Sequence, residues 1–327
     1  MNSLDLENKM KNILYVIIIF LFSLTIISCS SSDDAATITT DNTTSSVILV
    51  GVGNSGNIVR STDNGASWDN ATSPTTNYLN AVTFGNNTFV GVGLNGNIVR
   101  STDNSSSWDN ATSPTADTLM GVTFGNNTFV GVGNNQTIVR STNNGSSFDN
   151  VTAPSINFHP KGITFGNNTF VAVAEDGKIV RSTDNGSSFD FATSPTANQI
   201  NGVTFGNNTF VGVGTSGNIV RSTDNGSSWD NATSPIANHL YGVTFGNNTF
   251  VGVGSLGSIV RSTDNGESWD NATSPTTYWL GGVTFTNNTF VGVGDWGNIL
   301  RSTDNGSNWD NASSPTRNWL WGVTFVE

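Results

Sequence analysis

Ile58–Val59–Arg60–Ser61–Thr62–Asp63–Asn64–Gly65–Ala66–Ser67–Trp68 returns six more times along the chain, almost letter for letter. Its arginine recurs as Arg100, Arg140, Arg181, Arg221, Arg261 and Arg301, at spacings of 40, 40, 41, 40, 40 and 40 residues. Around each arginine lie four short runs with β-type alternation. A period near 40 with four such runs marks a β-propeller rather than a helical solenoid.

The copy around Arg100 shows the plan. Leu79–Phe84 reads as a first strand, A, and Gly85–Asn87 as a turn whose Gly and Asn tolerate positive φ. Thr88–Gly93 is strand B, Leu94–Gly96 a turn, Asn97–Thr102 strand C, Asp103–Ser106 a hairpin and Ser107–Thr112 strand D. Ile98, Arg100 and Thr102 share one face, Val99 and Ser101 the other. The glycines of Val-Gly-Val-Gly are expected to let adjacent sheets approach closely. The chain ends close the plan. Val47–Gly53 begins at strand B, and Leu320–Phe325 is a strand A with nothing after it. The last strand should complete the first blade, which abolishes the open edge and sets the number of blades at seven. The expected fold is therefore all-β: a seven-bladed propeller over 47–327, four antiparallel strands per blade.

Within each copy, Ser61, Asp63, Gly65 and Trp68 spell Ser-x-Asp-x-Gly-x-x-Trp. This resembles the Asp-box, or BNR repeat, over roughly residues 47–326. The resemblance implies a propeller of the superfamily that includes photosystem II assembly factors and sialidases. It does not imply one activity, because Asp-boxes also occur in xyloglucan-cleaving glycosidases and sortilin-type receptors. The motif aspartates Asp63, Asp103, Asp184, Asp224, Asp264 and Asp304 are read as structural. Each can accept backbone N–H bonds across its own turn, with Gly65 supplying a positive φ. A calcium site from Asp63, Asn64 and Asp69 is the weaker reading, because the spacing lacks a run of alternating oxygen ligands. The tryptophan is expected to plug the space between strands. Each arginine is expected to span a blade interface, stacking on tryptophan.

The chain has 327 residues, a formal charge of −12, 11% charged residues and 36 glycines. That acidity argues against a phosphate-backbone partner and against direct docking on anionic lipid. Cys29 is the only cysteine, so no intramolecular disulfide forms. Lys9 and Lys11 precede the apolar run 13–27, which ends Ser28–Cys29. This resembles a bacterial lipoprotein signal, and initiation at Met10 would give a more ordinary one. The resemblance implies a signal peptide over 1–28, lipidation of Cys29 and a flexible tether over 29–46. Ser30 after the cysteine favours the outer membrane, on its periplasmic or outer side.

The seven copies form an internal alignment. The A–B turns and C–D hairpins scarcely change. Variation falls in the B–C turns and D–A connections, which antiparallel strands place on one face of the disc. That face is rich in aromatics: Tyr78, His239, Tyr241, Tyr278, Trp279, Trp296, Trp319 and Trp321. Weak constraint alone would leave mostly small polar residues, whereas rings among amides suit sugar faces and binding hot spots. The expected function is a non-catalytic, envelope-anchored, monomeric recognition module for a glycan or an envelope or extracellular protein, with no cofactor, metal or nucleic acid. A scaffold or assembly factor is the second reading. A glycoside hydrolase is the third; it needs two carboxylates in one pocket, and Asp117, Glu175, Asp176 and Asp295 are the acids outside the repeat pattern on this face.

Overall fold

The computed structural model describes residues 47–154 and 158–326, all within the compact unit Thr44–Glu327. The expected signal peptide, lipidated Cys29 and tether lie outside the described residues. Seven four-stranded antiparallel sheets form the unit, each in the order A-B-C-D. Strand A of every blade touches strand A of both neighbours, so the seven A strands line the axis and the D strands lie at the rim. We number the blades from the N-terminus. Blade I takes strands B, C and D from Ile48–Gly53, Ile58–Ser61 and Asp69–Ala71, and strand A from Leu320–Val326. The A strands of blades II to VII are Leu79–Gly85, Leu119–Gly125, Pro160–Gly166, Ile200–Gly206, Leu240–Gly246 and Leu280–Thr286.

The closure is as the sequence implies. Leu49 pairs with Phe325, Val50 with Thr324 and Gly51 with Val323. The core lies between blades rather than at one centre. At the joint of VII and I, Val291, Val293 and Ile299 pack on Leu49, Val59, Trp68, Leu320 and Val323. At the joint of I and II, Ile48, Val50 and Val52 meet Leu79, Phe89, Val99 and Trp108. Each motif tryptophan thus plugs the seam to the preceding blade. Burying such a ring is worth several kcal/mol, roughly 3–5 on truncation to alanine.

The Ser-x-Asp-x-Gly-x-x-Trp motif is a closed hydrogen-bond unit. Ser61 Oγ donates to Asp63 Oδ1 at 2.8 Å, Ser67 N–H donates to the same oxygen at 2.9 Å, and Ser67 Oγ donates to Oδ2 at 2.6 Å. Gly65, at φ +80°, donates its N–H to Ser61 Oγ and accepts the Trp68 indole N–H. Both carboxylate oxygens are therefore taken by protein donors. In the third copy Asn143 stands for the aspartate, and its Nδ2 donates to Ser147 Oγ at 2.8 Å, reversing one bond while keeping the loop.

Four of the seven arginines donate across the blade interfaces, but onto a different acceptor than expected. Arg60 Nε donates to the Asn104 carbonyl at 2.9 Å, Arg140 Nε to Asn185 at 2.8 Å and Arg301 Nε to Asn64 at 3.1 Å. The carbonyl exposed by the tight hairpin is a better-directed acceptor than the buried tryptophan face. The same asparagines reach back: Asn64 Nδ2 donates to Thr289 Oγ1 of blade VII at 2.8 Å. The hairpin of each motif is thereby a staple to the blade before it.

The glycines also divide labour differently from the expectation. A Cβ at Gly93 would meet the Tyr78 carbonyl oxygen at 1.9 Å, so this glycine admits the D–A connection. Close approach between sheets occurs instead on strand A, where a Cβ at Gly202 would lie 2.6 Å from the Tyr241 carbonyl oxygen. In the A–B turn, Asn86 and Asn87 carry the positive φ, at 47° and 56°, the pattern of a two-residue type I′ hairpin.

Candidate functional site

Every strand A carries a β-bulge at the same place. Leu79 pairs with Gly93 and Ala81 with Val92, which leaves Asn80 without a partner across the ladder. The same shift recurs in the other six blades. The seven bulge residues are Asn80, Met120, Lys161, Asn201, Tyr241, Gly281 and Trp321. A bulge re-aims the extra side chain, and here all seven positions line one cavity of about 450 Å³ on the axis. Below them the wall is uniform: Ala81 and six glycines, then six valines and Ile163. The mouth is thus varied, and the channel under it is not.

The mouth has two sides. Ring contacts run from Tyr241 to Trp279 at 5.8 Å between centroids, on to Trp319 at 6.5 Å, and from Trp319 to Trp321 at 5.4 Å. This aromatic wall spans blades VI, VII and I. Across the axis stand Met120 and Lys161, of blades III and IV. Lys161 Nζ lies 2.8 Å from Glu175 Oε1, and Glu175 sits in the B–C turn of the same blade. The amides of the ring are also tied down. Asn80 Nδ2 donates to the Leu119 carbonyl at 2.8 Å and Asn201 Nδ2 to the Leu240 carbonyl at 2.7 Å, each reaching the next blade. Trp321 Nε1 donates to Asn54 Oδ1 at 2.7 Å.

Of the aromatics singled out from the sequence, the structure joins Tyr241, Trp279, Trp319 and Trp321. His239 instead accepts the Ser216 N–H on Nδ1 at 3.0 Å, bridging two blades. Tyr78 and Tyr278 are half exposed on the D–A connections. Trp296 is 60% exposed at the tip of its B–C turn, with φ at 56°. A bulky residue in the left-handed region is strained, and such strain gathers at functional positions. Sequence reading did not see the bulge ring as a unit. Its signal was present: the residue before Gly-Val-Thr-Phe changes at almost every copy while the four residues after it scarcely do.

The four acids behave differently. Hydrogen bonds from Asn135 and Thr137 hold the Asp117 carboxyl below its ordinary range. The hydrogen bond and charge of Lys161 do the same for Glu175, against the effect of burial. Asp176 is exposed at a turn tip. Asp295 is 9% exposed, and burial pushes its carboxyl up. The Tyr241 phenol is likewise raised, first by burial and then by the charge of Asp295. Glu175 and Asp295 sit in blades IV and VII, on opposite sides of the axis, and Glu175 is already engaged by Lys161. Among the described residues, no group of three His, Cys, Asp or Glu gathers in a metal-ligating cluster.

No protein-family profile and no curated protein sequence matches the chain. Solved structures do. The propeller is similar to YCF48 bound to D1 peptide, with TM-score 0.61 and 19% identity over 77% of this chain and 92% of that one. It is similar to YCF48 from Cyanidioschyzon merolae, with TM-score 0.62 and 16% identity over 77% and 90%. It is also similar to the computationally designed Ika8 protein, with TM-score 0.61 and 14% identity over 86% and 88%. At these identities the likeness is one of fold.

Proposed function

We propose that the chain is a non-catalytic recognition module that holds an extended segment of a partner protein against the bulge-ring mouth. The observation that carries this reading is the ring itself. One backbone position, repeated in seven blades, presents Asn, Met, Lys, Asn, Tyr, Gly and Trp into a single cavity on a uniform scaffold. Variation concentrated on the face that carries the opening is how a binding surface is built on a rigid frame. The fold-level neighbour YCF48, whose structure was determined with a D1 peptide, supports a peptide as the ligand class. We place the module in the cell envelope, held by lipid on Cys29, so the partner is an envelope or extracellular protein whose assembly it assists.

A glycan is the second reading, and the wall of Tyr241, Trp279, Trp319 and Trp321 favours it, since flat rings suit the C–H faces of sugars. Parallel titration of the full chain in detergent with random-sequence peptide pools and a broad glycan panel separates the two, with products checked for cleavage. Saturable peptide binding that W321A and Y241A weaken supports the proposal. Binding of glycans alone transfers the site to the second reading, and cleavage of either ligand removes the non-catalytic one.

A further inference from the structure

In each blade the first residue of the B–C turn is hydrogen-bonded through its backbone near the base of strand A: Asn54 N–H to the Trp319 carbonyl, Glu175 to His159, Asp295 to Trp279. In two blades its side chain bonds the bulge residue of its own blade. In blade I this produces Asn54 with Trp321, and in blade IV Glu175 with Lys161. In blade VII the corresponding pair is Asp295 with Gly281, and Gly281 has no side chain to offer. Among the described residues the Asp295 carboxylate has no hydrogen bond or ion pair, although the residue is only 9% exposed. A carboxylate so little exposed, with no counter-charge, is only partly hydrated, and a cation reaching its open oxygens relieves that.

The surroundings favour one kind of counter-charge. A Cβ at Gly281 would lie 3.2 Å from the Trp321 ring, so that indole flanks the position on one side. Tyr241 flanks it on the other and senses the Asp295 charge. Aromatic faces beside a carboxylate attract ammonium and guanidinium groups and repel anions. The chain as a whole, at −12, adds to the same preference. We propose that Asp295 and the gap at Gly281, which Tyr241 and Trp321 flank, form a subsite for a lysine or arginine side chain of the bound segment. The incoming cation takes, from outside, the role that Lys161 fills from inside in blade IV. This inference rests on the peptide reading above and names the residue class that reading leaves open.

The test uses the full chain and five pools of random-sequence peptides with one central residue held as Lys, Arg, norleucine, Gln or Glu. The Lys or Arg pool should bind at least about tenfold more tightly than the norleucine and Glu pools, the scale expected for a desolvated charge pair. D295N, which keeps shape and removes charge, should abolish that preference and leave the norleucine pool unchanged. G281K should also abolish it by supplying an internal cation; if that variant does not fold, D295N decides alone. Equal binding of all pools by the parent chain, or a cation preference that survives in D295N, overturns the subsite and leaves the peptide reading standing. Binding of no pool overturns the peptide reading and the subsite with it.

Discussion

Trp321 donates its indole N–H to Asn54 Oδ1 at 2.7 Å, so the last strand of the chain is bonded to the first turn across 267 positions. The contact joins the closure of the ring to the mouth of the cavity. W321F keeps a ring in the aromatic wall but loses the donor. It should lower the unfolding free energy by about 1 kcal/mol, the usual net worth of one hydrogen bond. Denaturant unfolding would check this, and no change would mean that water replaces the indole without loss.

Removal of Leu320–Val326 strips strand A from blade I and exposes one side of Ile48–Gly53. It also uncovers Leu49 and Val293, which Leu320 and Val323 help to bury. The truncated chain should lose its cooperative thermal transition and associate through the open edge. A sharp transition near that of the full chain, with a monomer in light scattering, would contradict the closure as the source of stability.

Trp296 holds φ 56° at an exposed turn tip where the other copies place Ser, Asn, Asp or Leu at similar angles. Asparagine accepts this conformation at lower cost. W296N should therefore raise stability by about 1 kcal/mol while weakening partner binding. A gain in stability with unchanged affinity would leave the strain without a function.

The motif carboxylates link stability to pH. Burial pushes Asp184, Asp224 and Asp264 up, and the hydrogen bonds of Ser188, Ser228 and Ser268 outweigh it, leaving each at about 2 against an ordinary 3.8. Asp103 is also at about 2, chiefly through Ser107. Folded values below the unfolded ones mean that the unfolded chain binds more protons in this window, so stability rises with pH there. Their contribution is fully present above the ordinary carboxylate value and is lost as pH falls from about 4 towards 2. Melting temperatures should be flat above this window and drop within it. D224N, mimicking the natural Asn143 copy, should soften the drop more than it lowers stability at neutral pH. D224A frees donors that water can reach and should cost about 1 kcal/mol at pH 7, the net worth of the lost hydrogen bonds.

The sequence by itself determined the seven blades, the closure by Leu320–Phe325, the self-bonded Ser-x-Asp-x-Gly turn and the face on which copies differ. These features are local or periodic: a turn is set by its own Ser, Asp and Gly, and a 40-residue repeat counts its own blades. Only the tertiary structure decided which varied residues meet. A bulge is a property of the pairing between two strands, and the period-2 alternation of Leu79–Phe84 gives no sign that Asn80 has slipped out of register. The partner of Arg301 was likewise hidden, because Asn64 lies in a different blade and reaches it only when the ring closes. The same holds for Asp295, Gly281, Trp321 and Tyr241. They come from three blades, and only the curvature of the assembled ring brings a carboxylate, an absent side chain and two aromatic faces to one place.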